Sequence, residues 1–154
     1  MTQQSGTRRQ NVEQERGRQA WENVKAVKGM GKTGQDYRPL ARGLNAMIQV
    51  NGLGQTLGFF RAKSNNDEGE PDPQKAHYQL LDHLTTWMRG RFPAKNADKI
   101  GAEYDGLLFW VLDQDTTSTD YRRATTECLA FGNWLRRFAE AELAEETAKG
   151  TSNG

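Results

Sequence analysis

The chain has 154 residues, one domain's worth, with 35% apolar and 27% charged side chains, and 21 basic against 20 acidic residues leave a net charge of +1. Leu, Ile, Val and Phe number 26, about 17% of the chain, which is thin for a globular protein, yet so small a net charge does not belong to a wholly disordered polyelectrolyte. The longest apolar run, Leu107 to Leu112, is too short to span a membrane, Met1 to Gln19 carry no signal-peptide core, and the single Cys128 excludes an internal disulfide and a multi-cysteine zinc site. A cytoplasmic protein without membrane contact is expected.

Residues 1–6 read as a flexible end. Helical spacing of Val12, Ala20, Val24 and Val27, with Trp21 beside them, predicts a first helix from about Thr7 to Lys28. Its first half is nearly all polar, so it frays or docks on something. Gly29, Gly31 and Gly34 are expected to end it. Asp36 then caps a second helix with Pro39 in its first turn. That helix carries Tyr37, Leu40, Leu44, Met47 and Ile48 and stops at Asn51-Gly52. Leu53, Leu57 and Phe60 mark a third helix ending at Lys63. Residues 64–73 are a polar, acidic loop.

Asp72 with Pro73 predicts the start of a fourth helix, striped by Leu80, Leu81, Leu84, Trp87 and Met88. Residues 90–97 form a second loop. Ile100, Tyr104, Leu107, Leu108 and Val111 mark a fifth helix. Thr117, with Asp120 three residues on, caps a sixth. It carries Tyr121, Thr125, Cys128, Leu135, Phe138 and Leu143 and frays after Ala144. No long period-2 run and no repeat appear. The expectation is all-α: a single-domain bundle of about six helices over residues 7–147, with residues 148–154 a flexible C-terminus.

Residues 1–63 hold 11 basic and 4 acidic side chains, and residues 64–120 hold 5 and 11. This asymmetry fits a basic face for an anionic partner and an acidic face that repels one, or else a merely dipolar surface. On the last helix Arg122/Arg123 and Arg136/Arg137 are fourteen residues apart, nearly four turns, so they share a face about 21 Å long. That spacing suits a phosphate backbone. Arg123–Glu127 and Arg136–Glu140 also have i,i+4 spacing and could be surface pairs, whereas Arg122 and Arg137 have no such partner.

No residue constellation asks for catalysis. Ala26 through Gly31-Lys32-Thr33 imitates a phosphate-binding loop with Ala for the first Gly, and Leu107 to Asp113 imitates the strand and Asp that accompany it. A phosphate cradle needs a strand before the loop, and Trp21 to Lys28 has helical spacing instead. His77 and His83, six apart, fall on different faces of one helix and are expected on the surface or half-buried. Cys128 sits mid-stripe with no His near it in sequence. Asp113 and Asp115 lie among capping residues. Ser5, Ser64 and Ser118 have no nucleophile elbow. No cofactor and no metal are expected.

Several blocks together resemble one family. Residues 12–17 read Val-Glu-Gln-Glu-Arg-Gly, and residues 37–40 read Tyr-Arg-Pro-Leu. Residues 51–59 read Asn-Gly-Leu-Gly-Gln-Thr-Leu-Gly-Phe. Residues 121–125 read Tyr-Arg-Arg-Ala-Thr, and residues 133–139 read Asn-Trp-Leu-Arg-Arg-Phe-Ala. In this order they resemble the small α-helical subunit of the type III-B CRISPR effector, the Cmr complex of the RAMP module. The loops at 64–73 and 90–97 do not match visibly. Gly58 and Gly132 stand where larger apolar residues are expected, and Gly132 admits a neighbouring helix closely or weakens its own by up to about 1 kcal/mol.

The resemblance implies a non-catalytic protein, not an enzyme, of antiviral defence. It implies several copies stacked in a minor filament beside backbone subunits that hold guide RNA, with a large subunit as cap and target RNA in the cleft. RNA contact would go to phosphates through Arg16, Arg18, Lys25, Arg38, Arg42, Arg61, Lys63, Arg122, Arg123 and Arg137. The competing readings are a degenerate P-loop NTPase and a helical protein–protein adaptor without RNA contact.

Overall fold

A computed structural model describes residues 4–91 and 99–145, with side chains placed for residues 11–90 and 99–145. Six helices follow one another: α1 (Gln4–Lys28), α2 (Lys32–Asn51), α3 (Leu53–Ala62), α4 (Ala76–Arg91), α5 (Gly106–Leu112) and α6 (Ser118–Glu142). The described residues hold no β-strand, only an isolated bridge between Asn65 and Pro71. The fold is an all-α, single-domain bundle. The termini at 1–3 and 146–154, and most of the 90–97 loop, lie outside the described residues.

α6 is the central element and packs against both α1 and α2. Arg16 meets Glu127 and Lys28 meets Glu142, so α1 runs parallel to it. Asn45 meets Leu129 while Arg38 meets Glu145, so α2 runs antiparallel. The predicted stripes supply much of the core: Ala20, Val24 and Val27 of α1, Tyr37, Leu44 and Ile48 of α2, Leu80, Leu81, Leu84 and Met88 of α4, and Cys128 and Leu135 of α6 are buried, joined by Phe131, which the spacing does not single out. Trp87 of α4 stacks on Phe131 of α6, ring centroids 5.0 Å apart. The polar first half of α1 is docked. Gly17 is buried beneath Trp134, whose ring would lie 3.3 Å from any Cβ there.

Four helix starts differ from the sequence expectation. α1 begins at Gln4, ahead of Thr7 and inside the stretch read as a flexible end. α2 begins at Lys32, not after Asp36. Gly31, at φ 68°, makes the turn, and its carbonyl accepts from the amides of Gly34 and Gln35. Gly34 is therefore helical and buried, and Pro39 lies in the helix interior, held by the buried Tyr37 and Ala41 on either side. Asp36 pairs with Lys32 at 3.0 Å instead of capping.

Asp72 does not cap α4 directly. Its carboxylate accepts from the Gln74 amide and its carbonyl from the Lys75 amide, a turn that delays the helix to Ala76. α5 begins only at Gly106. Ile100 and Tyr104 are buried as their spacing suggests, but in turns: the Tyr104 carbonyl accepts from Thr85 Oγ1 at 2.8 Å, and its ring stacks on Tyr78. The Thr117 cap of α6 is present, its side chain accepting from the Asp120 amide at 3.1 Å.

The α2–α3 corner turns at Gly52, with φ 87°, and its amide donates to the Ile48 carbonyl. Gly52→Val should therefore cost roughly 1–2 kcal/mol of backbone strain, read as a lower thermal midpoint. An unchanged melting curve would show that the corner reorganises without cost. Next to it, the Gly54 amide donates to the Tyr121 hydroxyl at 2.7 Å, so two of the motif blocks touch in space.

His83 is fully buried rather than half-buried, its Nδ1 2.8 Å from the Tyr37 hydroxyl. Burial lowers its pKa to about 3. The folded state thus holds His83 neutral, while the unfolded chain takes up a proton below about 6.5. Stability is expected to fall as pH drops from about 6.5 toward 3, and His83→Asn should flatten that part of the profile in denaturant titrations. A wild-type slope in the variant would assign the acid sensitivity elsewhere.

Candidate nucleic-acid interface

The ten basic candidates fall into groups that the fold treats differently. Arg16 faces inward. Its Nε and Nη2 donate to the two Glu127 oxygens at 2.7 and 2.9 Å, and Nη1 donates to Glu13. Trp87 Nε1 donates to the same Glu127 carboxylate at 2.9 Å. Glu127 is thus the joint of α1, α4 and α6, and the anticipated Arg123–Glu127 pair does not form. Arg61 is similarly held, with Nε on Asp105 at 3.0 Å, Nη1 on Asn65, and its guanidinium over the Tyr104 ring.

Arg38 and Arg42, on the outer side of α2, meet the acidic end of α6. Arg38 Nη1 donates to Glu145 at 2.8 Å, and Arg42 lies 3.5 Å from Glu140. Arg136 approaches the same Glu140 at 3.6 Å, so its i,i+4 pair is present. Lys28 donates to Glu142 at 2.9 Å.

Lys25 and Lys63 are exposed and lie over aromatic rings, Lys25 over Trp21 and Lys63 over Phe59. Arg18 is exposed beside a cleft between α1 and α4 lined by Glu15, Glu22 and Trp87. Arg122, Arg123 and Arg137 are exposed on α6 and make no ion pair among the described residues. Thr126 and Asn133 are exposed on the same helix between them. This ridge lies between the flanking helices α1 and α2, and at about 3.4 Å per phosphate its 21 Å length matches about six steps of one strand.

The opposite charge gathers elsewhere. Glu103, Asp105, Asp113 and Asp115 line a cleft around Phe109 and Trp110, with Lys99 at its edge. The basic and acidic halves of the sequence therefore become separate surfaces only in part, because many of the cations in residues 1–63 are already paired.

The phosphate-loop imitation has no matching geometry. The segment before Gly31 is the helix α1, and the Gly34 and Gln35 amides are turned onto the Gly31 carbonyl. Thr33 is buried with its hydroxyl donating to the Gln74 carbonyl at 2.7 Å, and Lys32 pairs with Asp36. Among the described residues no group of three or more His, Cys, Asp or Glu could hold a metal ion. Burial pushes the Cys128 thiol well above its usual range, so it is not a thiolate nucleophile. No described helix is long and apolar enough to cross a membrane.

One close approach explains the glycine that precedes the last motif block. A Cβ on Gly132 would collide with Asn45 Oδ1, whose amide nitrogen donates to the Leu129 carbonyl and to Asn133 Oδ1. Gly132 therefore admits α2 onto α6. Gly58, by contrast, faces open space and has no such role.

The family model for CRISPR-associated protein Cas_Cmr5 matches residues 12–142 of this sequence. The chain belongs to the Cmr5 family. That membership makes it a small subunit of a CRISPR Cmr complex. The fold is also similar to the crystal structure of a CRISPR-associated Cmr5 family protein from Thermus thermophilus, with a TM-score of 0.63 and 23% identity over 86% of this chain and 97% of that one. The matched span takes in every motif block and all the ion pairs that join α1 to α6.

Proposed function

We propose that this Cmr5-family chain is a non-catalytic, RNA-contacting building block of the type III-B effector in the cytoplasm. Copies stack into a minor filament beside the guide-holding backbone subunits and beneath the large subunit, and steady target RNA against the guide. Arg122, Arg123 and Arg137, which make no ion pair among the described residues and lie on the ridge of α6, carry this reading. A row of exposed guanidiniums without neutralising carboxylates is suited to phosphates and carries no base readout. Arg18, Lys25 and Lys63 are further exposed cations away from this ridge, while Arg16 and Arg61 act mainly through the fold. Arg38 and Arg42 contribute only when their carboxylates are displaced.

A single subunit offers few phosphate contacts, so its own affinity should lie near the non-specific range of about 10⁻⁴–10⁻⁶ M, with stacking supplying avidity. The test is charge reversal of Arg122, Arg123 and Arg137 together in the assembled complex. Target-RNA binding should weaken regardless of target sequence, and the logarithmic salt slope should shallow by about 0.7–0.9 per lost contact. Normal assembly with a wild-type salt slope would instead favour a protein–protein adaptor that never touches RNA.

A further inference from the structure

Within six residues, the end of α6 sends three carboxylates to three cations of the N-terminal helical hairpin. Glu140 lies by Arg42, Glu142 by Lys28, and Glu145 by Arg38. Glu140 and Glu142 are fixed in the helix. Glu145 is not: α6 ends at Glu142, and Leu143 turns the backbone to an extended conformation with its own side chain buried as an anchor. Glu145 is therefore the one carboxylate of the three whose backbone lies outside the helix.

Its partner is incompletely satisfied. Arg38 uses Nη1 on Glu145 and reaches the Glu140 carbonyl with Nη2 at 3.4 Å, while Nε is buried with no acceptor. A guanidinium presents a planar fork, and a phosphate can engage it through two donors at once. The side chain of Glu145 is 53% exposed, in the regime where an ion pair is weak and exchangeable. Tethered two residues beyond the buried Leu143, it nevertheless competes at high local concentration.

We propose that residues 143–145 form a strap in which Glu145 mimics a phosphate and masks Arg38, one helical turn from Arg42 on α2, so that a polyanion must displace it. This rests on the reading of the chain as an RNA-contacting subunit, and it supplies that reading with a gate. One stray phosphate does not displace the strap, whereas a backbone held along a stack of copies does.

The test uses the full chain with two probes, inorganic polyphosphate and single-stranded oligouridylate, titrated over a range of salt. Glu145→Gln should tighten polyphosphate binding by about 2- to 5-fold, the range for releasing one exposed ion pair. The salt dependence should steepen by about 0.7 per freed contact. Adding Arg38→Ala should abolish the gain, and Glu68→Gln, an equal charge change in the exposed acidic loop, should not reproduce it. A gain equal to that of Glu68→Gln, or one that survives Arg38→Ala, overturns the strap. A gain with polyphosphate and none with oligouridylate upholds the strap while counting against the RNA reading.

Discussion

Glu127→Ala is expected to destabilise the protein by about 3 kcal/mol, more than removal of any surface charge. The carboxylate receives two hydrogen bonds from Arg16 and one from Trp87 Nε1, and the side chains of Arg16 and Glu127 are 19% and 13% exposed. Removing one partner of a buried pair costs about 3–5 kcal/mol because the other charge stays behind unpaired. Partial exposure of Arg16 lowers that figure, and the orphaned indole N–H of buried Trp87 adds to it. For a chain of this size the expected drop in thermal midpoint is about 6–12 °C. Glu127→Gln, which keeps an acceptor but turns an amide toward the guanidinium, should fall between. A loss below about 1 kcal/mol in the alanine variant would mean that α1 is held by its apolar face alone.

The second large effect runs against helix propensity. Alanine normally stabilises a helix interior relative to glycine by up to about 1 kcal/mol, and Gly43→Ala on α2, with open space around it, should do so. Gly34→Ala should do the opposite. Its Cβ would lie 2.6 Å from the Val27 carbonyl oxygen and 3.3 Å from Lys28 Cα. These are backbone atoms of the last turn of α1 and cannot rotate away. Relieving the clash means prising apart the α1–α2 hairpin, an overpacking cost of about 1–3 kcal/mol that exceeds the propensity gain. Denaturant midpoints of the two variants should therefore move in opposite directions; parallel shifts would show that the hairpin yields.

The same glycine shows why the sequence is legible in some places and not in others. The stripes of α3, α4 and α6 and the Thr117 cap depend on residues within a turn or two of one another, and periodicity reports them directly. Gly34 resembles a helix terminator because glycine usually is one. Its reason for being there, contact with the backbone of the preceding helix, has no local signature. Asp36 and Asp72 likewise look like caps, but the choice among Lys32, a turn amide and a helix amide is made in three dimensions.

The candidate interface shows this limit more sharply. Counting charges by segment finds a basic N-terminal portion. It cannot find that Glu127, Glu142 and Glu145, each more than 100 residues away, neutralise Arg16, Lys28 and Arg38. The arginines of α6 are legible because helical spacing alone sets their common face. Of their suspected partners, only Arg136–Glu140 is present.

The central position of α6 also bears on how the protein is made. Its contacts with α1 close loops of more than a hundred residues, among the costliest to nucleate. As a nascent chain leaves the ribosome, the faces of α1 and α2 that pack on α6 stay bare until the last helix emerges. For most of synthesis the N-terminal hairpin is thus a sticky, positively charged intermediate surrounded by ribosomal RNA. Glu13 and Asp36 pair with its cations early, but Glu127, Glu140, Glu142 and Glu145 arrive last.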